Sequence, residues 1–351
     1  MIQLRKVVVV SWLVSVGCAR DSQPQESPPQ RQSASKQSNS DLPDTAFAEL
    51  GQIADIILHD GASPVAFPID VDLWQGHIVV TDGSQDNLKR FDRAGNLVGV
   101  IGASGSGPGE FRFPAASTVV GDSAIAVLDP INQRITTFSA SGAVLSTIRI
   151  NSPRAISLHL FRGDFLVGGE TAEAGGRMFM RYATDGTPRG SFGGPVVVRS
   201  RIERSVMSVR AAPVGDLVAI ATTTSNRITL FRGQEQVRTI EVARAWYEPW
   251  EFPTPEPRTQ QESRAWSRTQ MWVDALLPID SIRFATCFTQ QKQPGQSAMF
   301  RCAIVDLARE REWSSQALPV PIQLIRSDTA YSVSIDNNGR TRLRIFHLQL
   351  N

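Results

Sequence analysis

The run LKRFDRAGNLVGVIGASGSGPGEFRFP, residues 88–114, decides how the rest of the chain reads. A short extended stretch starts at Leu88, carries the β-prone Phe91 and ends at Asp92. Ala94-Gly95-Asn96 supplies a turn in which Gly95 is free to take positive φ. Leu97 to Ile101 is the return strand, so the two runs predict a hairpin. Gly102, Gly105, Gly107 and Gly109 then deny regular structure, and Pro108 and Pro114 stiffen the path. A glycine-rich loop can cradle phosphate where a helix starts directly after it. Glu110-Phe111-Arg112-Phe113-Pro114 is not a helix start, so neither a phosphate site nor a cofactor is read here.

The same rhythm recurs along the chain. An extended run, a Gly/Asp turn and a β-rich run appear at 71–82, 118–129, 157–170, 209–222, 274–288 and 323–336. A more polar strand follows each, as at Arg134–Phe138, Met178–Tyr182, Arg227–Phe231, Ala298–Val305 and Leu343–Leu348. A fourth strand is readable at Val98–Ile101, Val144–Ile148 and Val237–Val242. Six four-stranded antiparallel sheets at roughly fifty residues each fit an all-β, six-bladed β-propeller. A β-sandwich would not need six similar hairpin pairs, and the crossover helices of a parallel sheet are absent. The last unit stops after its third strand, and Glu49–His59 offers the missing fourth with Leu50, Ile53, Ile56, Ile57 and Leu58. A ring closed by that N-terminal strand leaves no open sheet edge at the seam.

Phe91-Asp92-x-x-Gly95, Ile101-Gly102 and Gly107-Pro108-Gly109-Glu110-Phe111 with Pro114 resemble the repeat of NHL-type six-bladed β-propellers. Asp129-x-x-Asn132-x-Arg134-Ile135-x-x-Phe138-x-x-x-Gly142 is similar to the same repeat, and the likeness covers residues 78–148. The family spans many functions. Related six-bladed propellers include lactonases and a peptide-amidating lyase that use metal-binding carboxylates or histidines at the central mouth. A metal-dependent hydrolase, lactonase or lyase is therefore the alternative to a binding module. No catalytic or metal-binding residue can be carried over position by position.

Arg5 and Lys6 precede an apolar run, Val7 to Val16, broken by Ser11 and Ser15. This basic start and short hydrophobic middle predict a secretory signal over 1–17, too short to span a bilayer. Cys18 follows Gly17 as in bacterial lipoprotein signals, although Ser15 stands where such signals usually carry leucine. Cys18 is thus the expected lipid attachment, which places the protein in the cell envelope, held to a membrane from outside the cytoplasm. Residues 18–44, rich in Ser, Gln and Pro, predict a disordered tether. The propeller then occupies 45–351. The whole chain has 36 Lys and Arg against 34 Asp and Glu, and the signal removes two of those cations. No charge excess argues for nucleic acid.

An insert at 243–270 breaks the rhythm. It carries Trp246, Trp250 and Trp266, with Trp272 just beyond, and predicts a short helix over about 258–268 after a proline-rich loop. It reads either as a flap packed on sheet edges or as an aromatic wall of a binding site. Among the four histidines, His59, His77, His159 and His347, no pair has metal-ligand spacing, so no metal site is assigned. Asp129, Asn132 and Asp336 are expected to serve their own turns.

Once Cys18 is acylated, Cys287 and Cys302 remain as an even pair on consecutive strands and are the disulfide candidate. The long connections are the glycine-rich loop, Gly193–Ser205, the tryptophan insert and Thr289–Ser297, and all are expected on one face. Arg112, Arg199, Arg201, Arg204, Trp246 and Trp250 are the ligand-binding candidates, with a pocket expected between Arg112, Arg201, Arg204 and Trp250. Arginine beside tryptophan suits a small anionic or sugar-like ligand, with an unidentified protein as the other possible partner.

Overall fold

The second strand of the first four units carries a run of mostly apolar residues, as in Ala124-Ile125-Ala126-Val127-Leu128. Side chains on a strand alternate between two faces, so such a run must be covered on both. A ring of blades does this by packing each sheet between two neighbours. The computed structural model describes residues 46–61, 64–151, 155–168, 177–195, 207–291 and 297–351. The signal and the whole of the tether lie outside them.

After β1 (Ala46–Ile57), the first blade is β2 (Pro68–Trp74), β3 (His77–Asp82), β4 (Asn87–Phe91) and β5 (Leu97–Ile101). A small parallel pair, β6 (Ala103–Ser104) and β7 (Glu110–Phe111), follows in the glycine-rich loop. The second blade is β8 (Ala116–Val120), β9 (Ala124–Asp129), β10 (Arg134–Ser139) and β11 (Val144–Arg149). The third is β12 (Ser157–Phe161), β13 (Asp164–Gly168), β14 (Arg177–Tyr182) and β15 (Pro188–Pro195). The fourth is β16 (Val209–Val214), β17 (Leu217–Thr222), β18 (Arg227–Arg232) and β19 (Glu235–Glu241). Helix α1 (Gln260–Thr269) precedes the fifth, β20 (Trp272–Pro278), β21 (Arg283–Gln290), β22 (Met299–Asp306) and β23 (Arg311–Ser315). The sixth is β24 (Leu324–Arg326), β25 (Thr329–Ile335) and β26 (Thr341–Leu350), completed by β1.

The closure follows the sequence expectation. β1 pairs antiparallel with β26 from Ala48↔Leu350 to Ile57↔Arg342. Its first residues, Ala46 to Ala48, also pair in parallel with Trp313 to Ser315 of β23, which fuses the fifth and sixth blades into one eight-stranded sheet. The core is divided between blade interfaces. Trp74, Leu88, Phe111 and Phe138 fill the space between the first and second blades. Leu158, Phe165, Leu128 and Ile135 do so between the second and third, and Phe284, Phe288, Ile228 and Leu230 between the fourth and fifth.

Two fourth strands escaped the sequence. β15 reads PRGSFGGP, with two prolines and three glycines that disfavour a strand, and β23 is only five residues long. Pairing with β14 and β22 imposes the extended form on them. β15 also takes in Gly193–Pro195, which the sequence placed in a loop. Helix α1 starts two residues later than expected. The Thr259 hydroxyl accepts from Glu262 N at 3.1 Å, and the Glu262 carboxylate accepts from Thr259 N at 3.3 Å. This reciprocal cap, rather than Pro257, sets the helix start.

The antiparallel order fixes the faces. Turns from the innermost to the second strand, such as Gln75-Gly76 and Arg162-Gly163, lie on one face. Turns from the second to the third strand share the opposite face with the crossings between blades. The glycine-rich loop and the tryptophan insert are both crossings, so both belong to that second face.

Candidate functional site

The glycine-rich loop is organised from below by one side chain. Arg134, at the start of β10, donates from its guanidinium to Ser106 O at 3.0 Å, Gly107 O at 2.8 Å and Glu110 O at 2.5 Å. The Gly107 N–H is consumed by the Glu110 carboxylate at 2.7 Å. A loop whose carbonyls converge on a cation, with a carboxylate on its free N–H, has no cradle left for an anion. Asp129 and Asn132 serve turns: Asp129 accepts from Asn132 N and Arg112 N, both at 3.1 Å. Asp336 accepts from Asn338 N and Arg340 N at 2.9 and 3.0 Å.

The tryptophans of the insert are satisfied largely among themselves. Trp250 stands edge-on to Trp266 and Trp272, with centroids 5.5 and 4.5 Å away. Its indole N–H donates to Met271 O at 2.5 Å, and the Trp272 N–H donates to Ser267 O at 2.8 Å. Trp246 donates to Ser314 Oγ at 3.0 Å, packs edge-on against Phe288 and carries the Arg301 guanidinium over its ring at 4.5 Å. Arg112 is exposed, and its guanidinium bonds to no described residue. Arg112 and the tryptophans are thus on one face but belong to different crossings. Arg199, Arg201, Arg204 and Cys18 lie outside the described residues. Cys287 and Cys302 face each other across β21 and β22, both buried, and are joined by a disulfide.

A different set of polar groups gathers at the axis. Strands β2, β8, β12, β16, β20 and β24 end their sheets on the inner side, so their inner backbone groups have no ladder partner. Side chains from neighbouring blades meet some of these groups. Asp70 accepts from Ser117 N at 2.9 Å. Arg210 Nε donates to Asp274 O at 2.9 Å. His159 donates to the Ala211 carbonyl. Asp72, two residues beyond Asp70 on the same strand face, accepts from Ser117 Oγ at 2.5 Å.

Charges from separate blades act on one another across the axis. The Arg326 guanidinium, from the sixth blade, acts on Asp70 and Asp72 of the first blade and on His159 of the third. Burial, reinforced by the Asp72 carboxylate, pushes Asp70 up to about 7. Burial also raises Asp72 and Asp274. His159 is pushed down to about 4 by burial, with Arg326 acting in the same sense against its bond to Ala211. It is therefore a neutral imidazole near pH 7.

These groups retain unused bonding capacity. The Asp274 carboxylate receives no hydrogen bond from a described residue but lies in the field of the Arg210 guanidinium, and among the described residues His159 Nε2 is shielded and unpartnered. Arg326 is exposed and, among the described residues, makes one hydrogen bond, to Ile325 O at 3.3 Å. Asp274 also occupies the irregularity between Val273 and Ala275 where β20 slips against β21, a feature that re-aims side chains beside sites. Among the described residues no three His, Cys, Asp or Glu side chains gather as a metal would require. His59 and His347 are exposed, and His347 lies 3.9 Å from Asp328. The sequence did not assemble the axial set, although its signal was there: charged or imidazole side chains inside otherwise apolar inner strands.

The fold defines a six-bladed β-propeller. A family model described as DUF5128, a 6-bladed β-propeller, matches residues 65–161. A DUF4221-family protein from Bacteroides vulgatus superposes with a TM-score of 0.62 at 8% identity, covering 87% of this chain and 99% of that one. A protein from Bacteroides fragilis, presumed exported, gives 0.59 at 13%, covering 89% and 98%. The WD40 repeats of RRP9 give 0.52 at 11%, covering 87% and 100%. At such identities these likenesses speak for the fold alone. No curated protein matches the chain.

Proposed function

We propose that this chain is an exported, lipid-anchored β-propeller of the NHL type that works as a ligand- or protein-binding module in the cell envelope. The observation that carries the binding function is the axial set: half-buried charges from the inner strands with buried Asp72 and exposed Arg326, several with unused hydrogen-bonding capacity. Desolvated charge without full pairing is costly, and a bound partner is what offsets it. Export is supported by the signal-like start, by the disulfide between two buried cysteines, which suits an oxidising compartment, and by the likeness to the Bacteroides fragilis protein. Arg112, Arg199, Arg201, Arg204, Trp246 and Trp250, all on or expected on the long-loop face, are proposed to border the approach to the axis.

Two experiments test this. Cys18→Ser should release the protein from membranes and abolish acyl labelling, and full membrane retention would overturn the anchor. Native mass spectrometry of the full chain taken from its own envelope should show an added small-molecule or protein mass. A chain that is always empty would overturn the binding function.

A further inference from the structure

Blades of a ring diverge outward, so the side chains between their outer strands have a widening space to fill. Between the third and fourth blades the inner part is filled by Phe161, Leu166, Phe179, Ala211 and Val218. The outer part is not. On β18 and β19 the face toward the third blade carries Thr229 and Thr239, directly opposite one another, where larger apolar residues would close the gap. On the third blade β15 offers Gly190, which pairs with Arg181, itself opposite Leu166, and so lies on the face that packs against the fourth blade. A side chain at Gly190 would meet only the Gln234 amide, at 3.6 Å. What is left is a groove of about 350 Å³, at the small end of the range for small-molecule sites.

The groove has two unlike ends. Buried Ile220 and Phe231, with half-buried Met178, give it an apolar floor. Thr222, Ser225 and Arg227 stand at its long-loop end, and Arg227 is about 13 Å along β18 from Phe231 by the rise of a strand. Arg227 is exposed, and its guanidinium bonds to no described residue. The Thr222 hydroxyl is likewise without a bond among the described residues. The Ser225 hydroxyl accepts from Arg227 N at 3.2 Å, which leaves its own hydrogen to donate. A free guanidinium beside two hydroxyls, at one end of an apolar floor, is the complement of a carboxylate carried on an apolar body. Glu241 limits the charge that fits. It stands across β19 from Arg227 without an ion pair between the two, so a dianionic head such as a phosphate ester would meet twice the repulsion that a single carboxylate meets.

We propose that the groove between the third and fourth blades binds a small organic monocarboxylate, with its head at Arg227, Thr222 and Ser225 and its apolar body along Ile220, Phe231 and Met178. The site is separate from the axial set and goes beyond it. Its lining comes from β14 and from the outer three strands of the fourth blade, so its failure would leave the axial reading untouched.

The test is ligand-observed NMR and calorimetry on the mature chain. Hexanoate and phenylacetate are the carboxylate probes. Phenylacetamide, phenyl phosphate and phenethylamine keep a similar body and change the charge of the head. Saturable binding should appear with at least one carboxylate and be weaker for the other three heads. Arg227→Gln should weaken it about tenfold, the low end for a hydrogen bond to a charged group. Because Arg227 is exposed and its guanidinium is unbonded, this variant should keep the melting temperature of the parent chain. Thr239→Phe, which fills the groove from β19, should abolish binding, and where it fails to fold Arg227→Gln decides alone. No saturable binding of either carboxylate would overturn the proposal. Equal or tighter binding of the amide, the phosphate or the amine would overturn the ligand class. An affinity unchanged by Arg227→Gln, or retained in a folded Thr239→Phe chain, would remove the site from this groove.

Discussion

Two groups of charges in this propeller are treated in opposite ways. In the first blade, Asp82 and Lys89 are both fully shielded and paired at 3.0 Å. Asp82 also accepts from Ala66 N, Phe67 N, Ser84 N and Gln85 N, and Lys89 donates to Asn87 Oδ1 at 3.0 Å. At the axis, Asp274, His159 and Arg326 keep unused capacity. The saturated set ties together a crossing, a turn and a strand, and has nothing left to offer a partner. The axial set joins neighbouring inner strands through single bonds and leaves bonding capacity over, as the proposed binding function requires. Saturation therefore separates charge used for stability from charge available for function.

The largest effect should come from breaking the saturated set. Asp82→Ala would leave the Lys89 ammonium buried beside Asn87 and free four backbone N–H groups. A loss of at least about 3–5 kcal/mol is expected by denaturant unfolding. A loss below about 1 kcal/mol, within the range of an ordinary surface change, would show that the pair is not the brace described here. The disulfide should come next. Replacing Cys287 and Cys302 together by Ser opens a link between residues 15 apart, for which chain entropy gives at most about 3 kcal/mol. A larger drop in unfolding free energy would mean that the hydroxyls also disturb the buried space between β21 and β22.

The smallest net effect, and the sharpest test of the axis, is in pH. Asp70 is raised, so the folded state holds its proton where the unfolded state has lost it. Its contribution is full below about pH 4 and is lost as pH rises through about 7. His159 is lowered, so the unfolded state binds the proton first, and stability rises between about pH 4 and 6.5. The two slopes oppose each other in the intact protein. Asp70→Asn should unmask a rise in melting temperature over that window, and His159→Gln should unmask a fall. Identical profiles for the two variants would show that neither group is desolvated as described.

Much of the ring was legible in the chain. Gly95 and Gly142 mark the same turn in the first two blades, at φ 89 and 83°, because only glycine closes it without strain. Structure adds Gly186 and Gly339 in the third and sixth blades, at φ 91 and 76°, where the surrounding residues had diverged too far to read as repeats. The cysteine pair was readable because consecutive antiparallel strands pair, which sets Cys287 opposite Cys302. β15 was not, because its glycines and prolines deny a strand until β14 pairs with it.

By itself, then, the sequence determined the period, the turn positions, the closing strand and the order of the blades, since these follow from local alternation and glycine placement. Only the tertiary structure decided which polar side chains meet. Asp70, His159, Arg210, Asp274 and Arg326 are spread over more than 250 residues and share no motif. They come together because the inner strands of separate blades surround one axis, and the resulting burial, which no local window of sequence contains, sets their charge.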